Sequence, residues 1–219
     1  MNGKGKLYGV GVGPGDPELL TLKAARLLRE CDVVAAPDGE RTAYQIAQRF
    51  AQGKPTLFCS LPMTRDRAAM AASHEAAADA LCALLDEGKT VVFLTLGDPS
   101  VYSTYWYIHR LAAARGYAAE MVPGVPSFCA AAAALGRALC EGSEALHILP
   151  ASHGQALPEG GNLVLMKAAN PFWIPAGSWN ARGVCRTRRW LSAAAWRANA
   201  SSPTFPHSTK PPVIFQSFW

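Results

Sequence analysis

Apolar residues along this chain gather in short runs that stop at glycine or proline, and between them they recur every three or four positions. Leu7 to Gly13 is such a run; Pro14, Gly15, Asp16 and Pro17 follow, and then LLTLKAARLLRECDVV. That order predicts strand, glycine-rich turn, helix and strand. Thr21 can cap a helix whose Leu22, Ala25 and Leu28 share one face, and Val33 to Ala36 is the next strand, stopped by Pro37. Helical spacing returns at Thr42 to Phe50 and at Arg65 to Asp86, where Met70, Ala77, Leu81, Leu84 and Leu85 line one face up to Gly88.

Thr90 to Leu96 (TVVFLTL) is continuously apolar, as strands covered on both faces are, and it runs straight into Gly97, Asp98 and Pro99. A helix over Tyr102 to Arg115, a strand over Ala118 to Val122, a helix over Ser127 to Leu135 and strands at Leu146 to Leu149 and Asn162 to Met166 complete the regular pattern. Strands alternating with helices imply an α/β architecture with a mainly parallel sheet. The expected division is an amino-terminal α/β domain over 1–122, the start of a second over 123–169, and a remainder over 170–219. Residues 170–219 hold six prolines and no period of either kind, so no element is assigned there.

Composition adds less than its averages promise. With 219 residues, 50% of them hydrophobic and 17% charged, the chain can bury one large core or two modest ones, which excludes general disorder. No run of 18 apolar residues occurs and the amino terminus lacks a signal-peptide layout, so a cytoplasmic protein without a membrane partner is expected. The six cysteines form no CxxC pair and read as buried thiols, with no metal site among them. The net charge of +5 is unevenly spread: all 16 acids lie at or before Glu159, whereas residues 160–219 carry seven Lys and Arg and five of the six Trp. The positive charge therefore belongs to the last part of the chain and does not argue for a nucleic-acid partner of the whole.

Three loops follow strands at the end where parallel sheets bind ligands. They are Gly9-Val10-Gly11-Val12-Gly13-Pro14-Gly15-Asp16-Pro17, Leu96-Gly97-Asp98-Pro99-Ser100-Val101-Tyr102 and Val122-Pro123-Gly124-Val125-Pro126-Ser127-Phe128. The first lacks both the GxGxxG spacing and the GK[ST] ending, so spacing alone leaves a ligand loop and a plain tight turn both open. Asp98 can accept hydrogen bonds from a ligand or cap the next helix, and Ser127 can do the same. No nucleophile-base pair, GxSxG or HExxH occurs, and His74, His109, His147, His153 and His207 have no metal-ligand spacing. A reaction carried by a bound cofactor is the economical reading.

Taken together, GVGVGPGDPELLTLKAARLL, TLGDPSVYST and VPGVPSFCAAAAALG resemble the loops of the tetrapyrrole methylase family over residues 7–168. LPMTRDRAAM, LGDPSVYSTYWYI and ALGRALCEGSEALHILPA look most like those members that methylate carbon 20 of precorrin-2 or of cobalt-factor II in cobalamin (corrin) biosynthesis. The resemblance implies two α/β domains with S-adenosyl-L-methionine in the trough between them, and a homodimer where the second domain is whole. It implies that Pro14 approaches the cofactor, that Leu96, Gly97 and Asp98 hold its polar parts beside Val101 and Tyr102, and that Ser127, Phe128 and Met166 complete the contact. Arg65 and Arg67 are candidates to meet the substrate's carboxylates, against the plainer reading of a solvated helix start. Tyr102, Tyr105 and His109 either face the trough or form the core face of their helix; no general base is named. Another tetrapyrrole carbon, ribosomal RNA, a modified histidine or an inactive member are the competing readings. After about residue 169 the likeness ends in an acid-free sequence such as a shifted reading frame would produce, leaving the second domain incomplete.

Overall fold

The apolar runs of the first part become five parallel strands of one sheet, in a computed structural model that describes residues 4–39, 41–64, 66–150, 158, 160–166 and 213–215. These are β1 (Lys6–Gly11), β2 (Val33–Pro37), β3 (Thr56–Cys59), β4 (Val91–Thr95) and β5 (Ala118–Val122), in the order β3-β2-β4-β1-β5. The connecting helices are α1 (Leu22–Glu30), α2 (Thr42–Ala47), α3 (Arg67–Asp86) and α4 (Tyr105–Ala114). The Cα atoms pair in register, Leu7 with Val91, Lys6 with Ala118, Val33 with Val91 and Val34 with Thr56.

The two-residue period of the strands divides their side chains between two cores. Val10, Val12, Val34, Val92 and Leu94 pack with Leu27, Leu28 and Ile46 of α1 and α2 on one face. Leu7, Val33, Ala35, Val91 and Phe93 pack with Leu81, Leu85, Tyr105 and Ile108 of α3 and α4 on the other. The connections through α1 and α2 step toward the β3 edge and those through α3 and α4 toward the β5 edge, so right-handed crossovers require this segregation of helices. β4 lies at the centre of the sheet, and all five of its residues are buried.

Local chemistry sets the element ends. The Thr21 side chain accepts from Ala24 N–H (3.2 Å) at the start of α1, and Asp66 Oδ1 accepts from Ala68 and Ala69 N–H (2.9 and 3.2 Å) at the start of α3. α4 begins three residues later than its apolar spacing predicts, because Tyr102 holds φ +47°, which a helix cannot continue through. β3 has no sequence signal of its own: TLFC is four residues long, without alternation, and becomes a strand by pairing with β2.

The chain divides into two units, Met1–Pro126 and Ser127–Trp219. The second holds α5 (Ser127–Ala134), β6 (Leu146–Pro150), β7 (Asn162–Met166) and β8 (Val213–Phe215), with the strands parallel in the order β6-β7-β8. β8 falls within 170–219, where the sequence pattern assigns no element, and its VIF pairs with Leu163, Val164 and Leu165. The expectation of buried thiols holds for Cys31, Cys59 and Cys82 and fails for Cys129 and Cys140. Cys129 stands off the Ser127, Phe128, Ala132 side that α5 buries, and Cys140 lies in the loop between α5 and β6. Cys185 and most of 170–219 lie outside the described residues.

Candidate functional site

β1 and β4 are neighbours whose connections leave in opposite directions, α1 over one face and α4 over the other. The sheet must open a crevice beyond their carboxyl ends, the place where α/β sheets bind ligands. β5 lies on the far side of β1, so the three loops singled out in the sequence all rise at this point.

Glycine lets the three backbones meet there. Gly97 N–H donates to the Gly13 carbonyl (2.8 Å) and Gly13 N–H to the Gly97 carbonyl (3.3 Å), with both residues at positive φ (+77° at Gly13, +74° at Gly97). A Cβ on Gly11 would lie 2.7 Å from Gly124 Cα, and one on Gly124 would lie 2.1 Å from Gly97 O, so neither position admits a side chain. Asp98 ties the same loops electrostatically. Its Oδ2 accepts from Gly124 N–H (2.9 Å), and its Oδ1 accepts from Ser100 N–H (2.8 Å) and from the Ser100 hydroxyl (2.5 Å). Asp98 is thus neither the cap of α4 nor a bare carboxylate; it sets the spacing of the second and third loops. Behind them Gly9 lets the Tyr105 ring lie against β1, where a Cβ would be 2.0 Å from the ring. Tyr105 is fully buried and its hydroxyl donates to Glu120 O (3.1 Å) and lies 3.3 Å from His109 Nδ1; burial pushes the phenol far up and the His109 imidazole down. Of the two earlier alternatives for Tyr105, the core face is the one the structure has.

In the first unit Pro14 follows the bridged Gly13 and is half-buried, Leu96 packs on the α1 side, Gly97 is buried, and Val101 is half-buried. Tyr102 is 43% exposed, in a backbone conformation that costs a bulky residue about 1 kcal/mol or more. In the second unit Ser127 and Phe128 are buried in the first turn of α5, and Met166 is buried at the carboxyl end of β7. Arg67 is exposed as the first residue of α3, and Arg65 lies outside the described residues. Sequence reasoning passed over Arg41, which opens α2 at φ +57° with its guanidinium 4.1 Å over the Phe58 ring and 3.0 Å from Asp38 Oδ1. It also passed over the tie from Asp98 to Gly124, because hydrogen bonds between loops 26 residues apart leave no periodic trace.

These loops fit a ligand read by main chain rather than by charged side chains. A Cβ at Gly97 would meet nothing nearer than 4.0 Å, so it is the positive φ of this turn, not crowding, that calls for glycine there. Among the described residues the loops leaving β1, β4 and β5 (12–21, 96–104 and 123–126) carry no Lys or Arg, which suits a ligand that needs paired donors and acceptors more than net charge. Among the described residues no group of three or more His, Cys, Asp or Glu could hold a metal ion, and no helix is long and apolar enough to cross a membrane.

Sheet order, crevice and glycine loops define a doubly wound α/β protein with a candidate ligand site at the switch point of its strand order. Residues 6–202 match the profile of the tetrapyrrole (corrin/porphyrin) methylases, and the chain belongs to that family. It is 37% identical over 171 residues to a probable cobalt-precorrin-2 C(20)-methyltransferase of Methanocaldococcus jannaschii, covering 75% of this chain and 73% of that protein. It is 35% identical over 178 residues to the cobalt-precorrin-2 C(20)-methyltransferase of Salmonella typhimurium, covering 77% and 75%. A solved uroporphyrin-III-C-methyltransferase of Thermus thermophilus matches with TM-score 0.58 and 30% identity over 73% of this chain and 66% of that one.

Proposed function

We propose that the chain transfers a methyl group from S-adenosyl-L-methionine to carbon 20 of precorrin-2 or cobalt-factor II, in cobalamin biosynthesis. The observation that carries the reading is the second loop, LGDPSVYS, fixed at the switch point by Asp98 and Gly97 in a chain whose relatives are named for that reaction. The backbones of Pro14, Leu96, Gly97 and Val101 would hold the cofactor, with Tyr102 beside them. Ser127, Phe128 and Met166 would add contacts from the second unit. The cofactor supplies a sulfonium methyl, already electrophilic, and the tetrapyrrole supplies an electron-rich carbon.

Little chemistry is then left to the protein. Its residues must align the reacting atoms at about 3–3.5 Å and keep water out. The glycine contacts and the Asp98 tie suit that task, because they fix three loops against one another before any ligand arrives. Tyr105 takes no proton in this reading, since it is buried and its hydroxyl is engaged by Glu120 O. On this reading the chain acts in the cytoplasm, and as a homodimer where its second domain is whole; light scattering of the purified protein checks the dimer.

The test is incubation with methyl-labelled S-adenosyl-L-methionine and, separately, precorrin-2 and cobalt-factor II. Label in one or both tetrapyrroles is the expected result. A chain that binds the cofactor yet labels neither acts on another substrate.

A further inference from the structure

Arg41 is held in a way that ordinary surface arginines are not. Among the described residues only Arg41 and Tyr102 combine a side chain with positive φ, and both lie in loops at the carboxyl end of the five-stranded sheet. Glycine would adopt φ +57° freely, so an arginine here keeps an unfavourable backbone for the sake of its side chain. That side chain is also steadied. The guanidinium lies 4.1 Å over Phe58, whose ring meets Tyr44 edge-on at 5.4 Å, and Nη2 donates to Asp38 Oδ1 at 3.0 Å. One of its five N–H groups is thereby used, and about half of the side chain remains exposed.

The position decides what the others are for. β2 is the neighbour of β4, and their parallel register (Val33 with Val91) brings Pro37 and Thr95 to the same level, so the Arg41 loop and the Asp98 loop leave adjacent strand ends. Among the described residues of the loops leaving β1 to β5 (12–21, 38–41, 60–66, 96–104 and 123–126), Arg41 is the one cation. The acids there are largely spoken for: Asp16 accepts from Glu18 N–H, Asp66 from α3, and Asp98 from Ser100 and Gly124.

We propose that Arg41 is a substrate-recognition residue, binding a peripheral carboxylate of the tetrapyrrole through its planar fork while Phe58 and Asp38 hold it in place. This rests on the function proposed above, whose substrates carry acetate and propionate arms. A planar, pre-set guanidinium suits a carboxylate better than a lysine does, because it offers two parallel N–H donors without first being ordered.

The experiment compares the full chain with Arg41→Gly and Arg41→Lys. Three quantities are measured: affinity for uroporphyrin, a stable tetrapyrrole with the same kinds of acidic arms, by fluorescence; affinity for S-adenosyl-L-methionine; and melting temperature. Arg41→Gly is expected to weaken uroporphyrin binding on the order of 10- to 100-fold. Arg41→Lys should recover only part of that loss. Cofactor affinity should not change, and the glycine variant should melt no lower than the parent, because glycine accepts this φ. Unchanged uroporphyrin affinity in Arg41→Gly overturns the proposal, and so does a lower melting temperature with cofactor affinity falling in parallel, which marks a structural role. If the parent binds uroporphyrin through Arg41 yet methylates neither precorrin-2 nor cobalt-factor II, the functional reading fails and the assignment of Arg41 stands.

Discussion

Gly124 shows what a single position contributes to this site. Its Cα packs against Gly11 and Gly97 so closely that a methyl group would sit 2.1 Å from the Gly97 carbonyl, backbone that has no rotamer to escape into. Gly124→Ala should therefore push the third loop off the other two, at a cost of about 1–3 kcal/mol in stability and at least tenfold in cofactor affinity. Calorimetry and cofactor titration check both; an alanine variant with parental affinity would mean that the contact between loops is dispensable. Asp98→Asn tests the electrostatic half of the same joint. The amide keeps the shape but turns one acceptor into a donor facing either Gly124 N–H or Ser100, an unmade bond worth about 1–3 kcal/mol. Its affinity for the cofactor should fall about tenfold or more, with Asp98→Glu giving no rescue because the longer arm cannot serve both loops. The glycines were legible in the sequence; their reason was not. Read as a pattern they allow backbone to approach a ligand, whereas in the fold Gly11 and Gly124 allow loops to approach each other, which depends on partners far apart in the chain.

At the scale of elements, hydrophobic period located most of the strands and helices of the first unit and set some of their ends incorrectly. β4 was plain because its central place demands an unbroken apolar run, whereas β3, an edge strand of four residues, draws its order from β2. α4 starts at Tyr105 because Tyr102 sits in a left-handed turn, and no apolar spacing records the sign of a φ angle. The seam between α3 and α4 supplies a pH dependence. His74 on α3 stacks on Tyr107 of α4 at 4.7 Å, and burial lowers its pKa from the ordinary 6.5. The unfolded chain then takes up this proton at a higher pH than the folded one does, so stability is complete above about 6.5 and declines as pH falls below it toward the folded value. His109, shifted in the same direction, adds to the decline. His74→Phe keeps a ring on Tyr107 and should flatten part of the fall in melting temperature between neutral and mildly acidic pH; an identical profile would remove His74 from the account. Leu81→Ala, in the fully buried stripe of α3, should cost about 2–5 kcal/mol by denaturant titration.

Over the whole molecule the average charge conceals a break. Residues 1–159 hold 14 basic against 16 acidic residues, and 160–219 hold seven basic and none acidic. The proposal of a shifted reading frame near residue 169 rests on that break, on the gain of Trp, Arg, Ser and Pro and on the lost periodicity, and two findings set bounds to it. The family match continues to residue 202, and β8 at Val213–Phe215 pairs with β7. Reading the encoding DNA decides the matter: an alternative frame that restores acids together with strand and helix period supports the shift, and its absence refutes it. The family and the loop cluster of the first unit were legible because motifs of glycine, proline and aspartate survive in short windows. Ser127 and Phe128 were legible only as members of the third strand-end loop, and Met166 was named from resemblance alone.

The position of the transferred methyl tests the central claim most directly. Precorrin-2 and cobalt-factor II, incubated with isotopically methyl-labelled S-adenosyl-L-methionine and this chain, are to be read by nuclear magnetic resonance of the product. The account predicts one new labelled methyl, on carbon 20. A label on another carbon would contradict the assigned regiochemistry, and no label with either tetrapyrrole, cofactor binding being intact, would contradict the assigned reaction.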